Sequence, residues 1–230
     1  MHATSACVFD AYGTLFDLRS ALKHHLTVLG APADRFLEVW RTKQLEYAWT
    51  SSLMGLDNDF LAVTRQALDY ALRVCGIADD SGGALVDEIA EAFMVLDPFP
   101  DVAPALAQLR EAGRRIVILS NGTLEMVTTA VERGGLSALV DEVLSCEEVH
   151  TFKPDPRGYD LACNRLQLTP EDIMFVASNT WDVAGATAFG FRTVWVNRGA
   201  EPAEYPALSP RATVSNLIDL RTLLEQVEAR

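Results

Sequence analysis

The sequence predicts an α/β protein in which a parallel β-sheet carries helices on both faces and a helical segment is inserted after the first strand. Three observations carry this prediction. Short apolar runs recur at wide spacing with helical patterns between them, as a buried parallel sheet requires. One long stretch, 18–97, offers only helical signals. Polar side chains able to do chemistry follow the apolar runs, where open α/β sheets bind their ligands.

Taken in chain order, Cys7-Val8-Phe9 is the first strand candidate and runs straight into Asp10. The runs FLEVWRTKQLEYAW and DNDFLAVTRQALDYALRVCG then have helical periodicity. A crossover between parallel strands needs only about a dozen residues or a little more, so the stretch 18–97 is read as a helical cap subdomain over the sheet edge. Residues 1–17 and 98–230 then form the core domain. The PFPDV stretch from Pro98 to Val102 is the return linker. After the helical DVAPALAQLREAG come Ile116 to Leu119, a weaker candidate from Asp141 to Ser145, then Ile173 to Val176 and Thr193 to Val196.

Composition sets the bounds. The chain has 230 residues, enough for one large domain or for a domain with an insert. Its formal charge of −13 disfavours nucleic acid, which needs a basic face. An anionic small substrate would need a local cation. No apolar run approaches the roughly 20 residues of a membrane span, and the N-terminus lacks a signal-peptide pattern, so no membrane partner is expected. Cys7, Cys75, Cys146 and Cys163 lie far apart with no CxxC pair, which fits free thiols in a reducing cytoplasm and no metal site.

The polar residues fall at the strand ends. Asp10 follows the first strand, Ser120 and Asn121 the second, Lys153 comes shortly after the third, and Ser178, Asn179 and Asp182 follow the fourth. Each has a plainer reading. Ser120 and Asn121 could cap a helix, Lys153 could be a solvated loop lysine, and Asp182 could be a first-turn acid favoured by the helix dipole. Asp10 has no capping job in view, and four coinciding strand ends point to an active site. In the helical segment, Arg41 shares a face with Leu37, Gln44, Leu45 and Ala48. It either snorkels to solvent or pairs with Glu38 or Glu46, or it aims at the pocket and meets an anion.

The stretches VFDAYGTLFD, WRTKQLEYAW, ILSNG, FKPDP, FVASNTWDVAGA and FGFRTVWVNR cover nearly the whole chain in order. Together they resemble the haloacid dehalogenase superfamily, and within it the L-2-haloacid dehalogenases, because WRTKQLEYAW belongs to the cap. The resemblance implies a Rossmann-like core. It also explains the phenol at Tyr12. Phosphatases of the superfamily read DxDxT, where the second aspartate protonates an alkoxide leaving group. Halide is a weak base and needs no proton. Phosphatases also carry GDSxxD, where this chain has Ser178 in place of a magnesium-binding aspartate. Magnesium favours carboxylate oxygens, so no metal and no cofactor are expected.

What the resemblance implies is a double displacement. Asp10 attacks Cα of a short L-2-haloacid, halide leaves, and water hydrolyses the aspartyl ester to a D-2-hydroxy acid. Lys153 is implied to hold Asp10 ionised and placed, and Asp182 to pair with Lys153 and help activate water with Asn179. Thr14, Ser120 and backbone N–H groups would hold the substrate carboxylate, while Arg41 and Asn121 would receive halide. Tyr12, Gln44, Leu45, Phe60 and Trp181 would wall the pocket, although Phe60 and Trp181 could equally be ordinary core. Tyr159 would support the polar network. Relatives read SSN where this chain reads Ala177-Ser178-Asn179, which removes a hydroxyl expected near Lys153 and Asp10 and worth roughly 1.5–3 kcal/mol. A homodimer through helices such as 59–75 is also implied. The competing readings are a defluorinase of fluoroacetate-type substrates, a magnesium-dependent phosphatase and a non-catalytic binder of small acids.

Overall fold

The computed structural model describes residues 6–30, 32–77 and 83–228. Six strands form one sheet: β1 (Ala6–Phe9), β2 (Arg115–Ser120), β3 (Glu142–Ser145), β4 (Ile173–Ala177), β5 (Arg192–Val196) and β6 (Ala212–Val214). Their order is β3-β2-β1-β4-β5-β6, and every pair is parallel. The side chains alternate as the two-residue period requires. Cys7 and Phe9 of β1, with Ile116 and Ile118 of β2, enter one core, whereas Ala6, Val8, Val117 and Leu119 enter the core on the opposite face. Both faces are therefore buried, which is why the strands read as continuous apolar runs.

The helices are α1 (Leu26–Leu29), α2 (Ala33–Met54), α3 (Phe60–Val74), α4 (Ala84–Phe93), α5 (Val102–Glu111), α6 (Leu124–Arg133), α7 (Pro156–Leu166), α8 (Thr180–Phe189) and α9 (Leu220–Glu228). Several start where the sequence supplies a cap. Asp59 accepts from Ala62 N at 2.7 Å, Thr123 from Met126 N at 3.2 Å, and Asp155 from Arg157 N at 2.9 Å with Pro156 at the first helical position. Gly55 ends α2 in the left-handed conformation (φ 67°). Helices α1 to α4 all lie between β1 and the linker into α5, and their buried residues join the same core as Cys7 and Phe9.

Two differences from the sequence reading are local. The third strand begins at Glu142, because Asp141 instead turns its carboxylate onto Ile116 N at 2.7 Å. The sixth strand has no counterpart among the sequence candidates. Its three residues at the sheet edge are only partly covered, so it lacks an apolar run. No helix among the described residues is long and apolar enough to cross a membrane.

Candidate active site

Strand order reverses between β1 and β4, and ligands of such sheets bind outside the carboxyl ends at that switch. Asp10 stands there. Its backbone N–H donates to Val176 O at 3.0 Å, so the sheet ladder itself places the residue. The chain then turns tightly. Gly13 takes φ 85°, a left-handed value that suits glycine, and Leu15 N closes onto Ala11 O at 2.9 Å. The turn brings Thr14 back to donate from Oγ1 to Asp10 Oδ2 at 2.9 Å. Thr14 Oγ1 in turn accepts from Ser178 N at 2.8 Å. Its single proton is spent on Asp10, so Thr14 holds the aspartate rather than offering a donor to a substrate carboxylate.

Lys153 is fully buried and aims its ammonium at three acceptors: Asp10 Oδ1 at 2.9 Å, Leu119 O at 2.9 Å and Asp182 Oδ2 at 2.6 Å. These use all three of its protons. The ammonium also lies 5.3 Å from the centre of the Phe175 ring. Burial lowers the lysine's pKa, but Asp10 and Asp182 outweigh it and the net shift is upward, so Lys153 stays charged. Asp182 is pushed up to about 6, chiefly by burial, against the lowering pull of Lys153 and with a further push from Asp10. Two carboxylates share one cation, and the more enclosed one bears the excess. Tyr159 donates to Asp182 Oδ1 at 2.8 Å and completes that carboxylate's shell.

Asn179 donates from Nδ2 to Asp10 Oδ2 at 2.9 Å and to Tyr12 O at 3.1 Å. Its amide protons are spent, which leaves Oδ1 to receive a water. Asn121 brackets the Lys153 backbone, accepting from its N at 2.7 Å and donating to its O at 3.3 Å. It therefore positions the lysine loop, with one N–H left over. Ser120 Oγ accepts from Gly122 N at 3.1 Å. Ser178 N serves Thr14 and its O accepts from Trp195 Nε1 at 3.1 Å, while its hydroxyl is buried without a partner among the described residues. Position 177 carries no hydroxyl, and all three ammonium protons of Lys153 are satisfied without one.

From the helical segment, Arg41 donates from Nη1 to Gln44 Oε1 at 2.6 Å, not to Glu38 or Glu46. Glu46 pairs instead with Lys43 at 2.7 Å. Gln44 is buried and donates onward to Thr64 Oγ1 at 2.6 Å. Burial lowers the Arg41 pKa, and the negative charge of Asp10 partly offsets that. Phe60 is buried in the wall. Arg41, Leu45, Asn179, Ser178 and Trp181 border a cavity of about 850 Å³.

Two residues escaped the sequence reading. Trp49 donates from Nε1 to Lys153 O at 3.2 Å and packs edge-on against Trp181, with centroids 5.5 Å apart. The helical spacing Arg41–Leu45–Trp49 already put it on the relevant face. Arg198 donates to Thr14 O at 3.1 Å and pairs with Asp101 at 2.7 Å. It lies in the WVNR run but carries no local signal of its own.

Asp10 thus stands at a strand tip, held by Lys153, Thr14 and Asn179, and shares the lysine with Asp182. Residues 4–190 match the haloacid dehalogenase-like hydrolase family, and the chain belongs to it. It is 42% identical to (S)-2-haloacid dehalogenase 1 of Pseudomonas sp. (strain CBS-3), over 97% of this chain and 98% of that one. A solved dehalogenase structure aligns with TM-score 0.93 and 41% identity, covering 97% of this chain and 98% of the other. The L-2-haloacid dehalogenase of Xanthobacter autotrophicus with chloropropionic acid covalently bound aligns with TM-score 0.88 and 36% identity, over 96% and 98% of the two chains.

Proposed function

We propose that this protein hydrolyses the carbon–halogen bond of short L-2-haloacids, giving D-2-hydroxy acids through an ester on Asp10. One observation carries the reading. Asp10 is held by Lys153, Thr14 and Asn179, with Tyr12 and Ser178 where a phosphatase would place further carboxylates. The Lys153 ammonium fills the seat between Asp10 and Asp182 and neutralises them there.

The bonding favours one of the two Asp10 oxygens as the one that reacts. Asp10 Oδ2 accepts two hydrogen bonds and Oδ1 accepts one, so Oδ1 keeps an in-plane lone pair. Oδ1 forms the bond to Cα as the carbon–halogen pair leaves with the halide. Oδ2 then becomes the ester carbonyl oxygen. Thr14 Oγ1–H and Asn179 Nδ2–H are already aimed at it and stabilise the oxyanion when water adds. Asn179 Oδ1 and Asp182 orient that water. Arg41, with the spare N–H of Asn121, takes the halide, and Ser120 with nearby backbone N–H groups takes the substrate carboxylate. Tyr12, Gln44, Leu45, Phe60 and Trp181 exclude bulk water, and helices α1 to α4 serve as the cap. The four free cysteines fit a cytoplasmic location. A second copy of the chain would dock on α3, where Tyr70 and Val74 are exposed, forming a homodimer.

The test is chloride release from L- and D-2-chloropropionate in EDTA, with Asp10→Asn alongside. Chloride from the L form alone, and none from the variant, is the expected result. No chloride from the L form with folded protein would overturn the reading.

A further inference from the structure

Most polar atoms of the site are spent on one another, but among the described residues the hydroxyls of Tyr12 and Ser178 and the indole N–H of Trp181 are not, and the phenol is the one stacked among aromatic rings. Tyr12 is 2% exposed, and its hydroxyl is buried without a partner among the described residues. The ring cannot swing away. It stacks on Phe93 with centroids 4.6 Å apart and on Phe60 at 6.0 Å. On its other side it lies against Gly122, where an added Cβ would meet the phenol oxygen at 2.7 Å. That packing puts the hydroxyl beside the Ser120-Asn121-Gly122 turn. The positive charge of Arg41 acts on the phenol as well, opposing the larger effect of burial.

A buried hydroxyl with no acceptor is unfavourable, and phenylalanine would pack as well without that cost. A phenol O–H is a donor, and Arg41 supplies positive charge nearby. Both suit an anion that is present only during turnover.

Resting on the dehalogenase reading above, we propose that the Tyr12 O–H donates to the departing halide together with Arg41, and so sets the leaving-group preference. The proton stays on the phenol. The halide takes the carbon–halogen electron pair, and the O–H and guanidinium solvate it in a site closed to water. Chloride, which is smaller and leaves less readily than bromide, gains more from this donor.

Tyr12→Phe is assayed for kcat/KM with L-2-chloropropionate and L-2-bromopropionate and for inhibition by added chloride, with wild type as reference. The chloro substrate should lose about tenfold, the size of one hydrogen bond to an ion, and the bromo substrate clearly less, so that the chloro-to-bromo ratio falls. Chloride should also inhibit less. The melting temperature should hold or rise, because no protein hydrogen bond is removed. An unchanged ratio in folded Tyr12→Phe overturns the proposal. So does an equal rise in KM for both substrates, which would assign the hydroxyl to the substrate carboxylate. Wild type inactive on both would instead refute the dehalogenase reading itself.

Discussion

Replacing Lys153 by methionine removes the only cation between two buried carboxylates. The side chain is fully buried, and three acceptors lose their donor at once: Asp10, Asp182 and Leu119 O. Breaking a buried ion pair from one side costs about 3–5 kcal/mol, a large share of the ~5–15 kcal/mol that holds a domain folded. The cost should depend on pH. The pKa of Lys153 is raised, so its contribution is complete below its unfolded value near 10.4 and constant across the working range. Asp182, already at about 6, rises further once the lowering effect of Lys153 is gone. A carboxylate raised in the folded state costs stability as pH climbs from its unfolded pKa through the folded one. The gap between wild type and variant should therefore be smaller at pH 5, where the unpaired Leu119 carbonyl still contributes, and widen above about pH 6. Urea unfolding at pH 5 and pH 8 measures it. A gap under about 1 kcal/mol at pH 8, or one independent of pH, would refute the account of Lys153 as the neutralising centre.

Activity should fall as pH drops through about 6, where Asp182 takes up a proton as part of the Asp10–Lys153–Asp182 set and its pairing with Lys153 weakens. Tyr159→Phe removes the donor to Asp182 Oδ1, so that acid limb of kcat/KM should move to higher pH, with a stability loss of about 1–3 kcal/mol by thermal or urea unfolding. Ala177→Ser should change kcat less than about threefold, because the ammonium has no proton left for the new hydroxyl; steady-state kinetics against L-2-chloropropionate check this.

The strand ends were legible because burial on both sheet faces makes strands into short apolar runs, and the loops that follow must sit at the carboxyl edge. Asp10 directly after its run, and Lys153 and Asp182 a few residues further into their loops, were found on that ground and meet within 2.9 Å. What each polar group does was less legible. Thr14 was expected at the substrate carboxylate and Asn121 at the halide; Thr14 bonds to Asp10, and Asn121 brackets the Lys153 backbone with one N–H left over, since a donor's target depends on a turn that the residue string does not display. Trp49 and Arg198 reach across more than ninety intervening residues to backbone carbonyls, and a carbonyl has no identity in a sequence.

The indole of Trp49 bonded to the Lys153 carbonyl has a consequence for how the molecule can be rebuilt. Phe152 N and Thr151 Oγ1 also bond to Ser52 Oγ, one turn further along the same helix. The lysine loop thus hangs from α2 on one side and from Asn121 on the other. A chimaera that grafts another protein's helices onto this sheet must bring matching groups at 49 and 52. Otherwise the graft would accept new substrates in shape while slackening the ammonium that steadies the nucleophile. The helix that lines the cavity and the loop that carries the ammonium are stitched together over residues 151–153, so a change to one reaches the other.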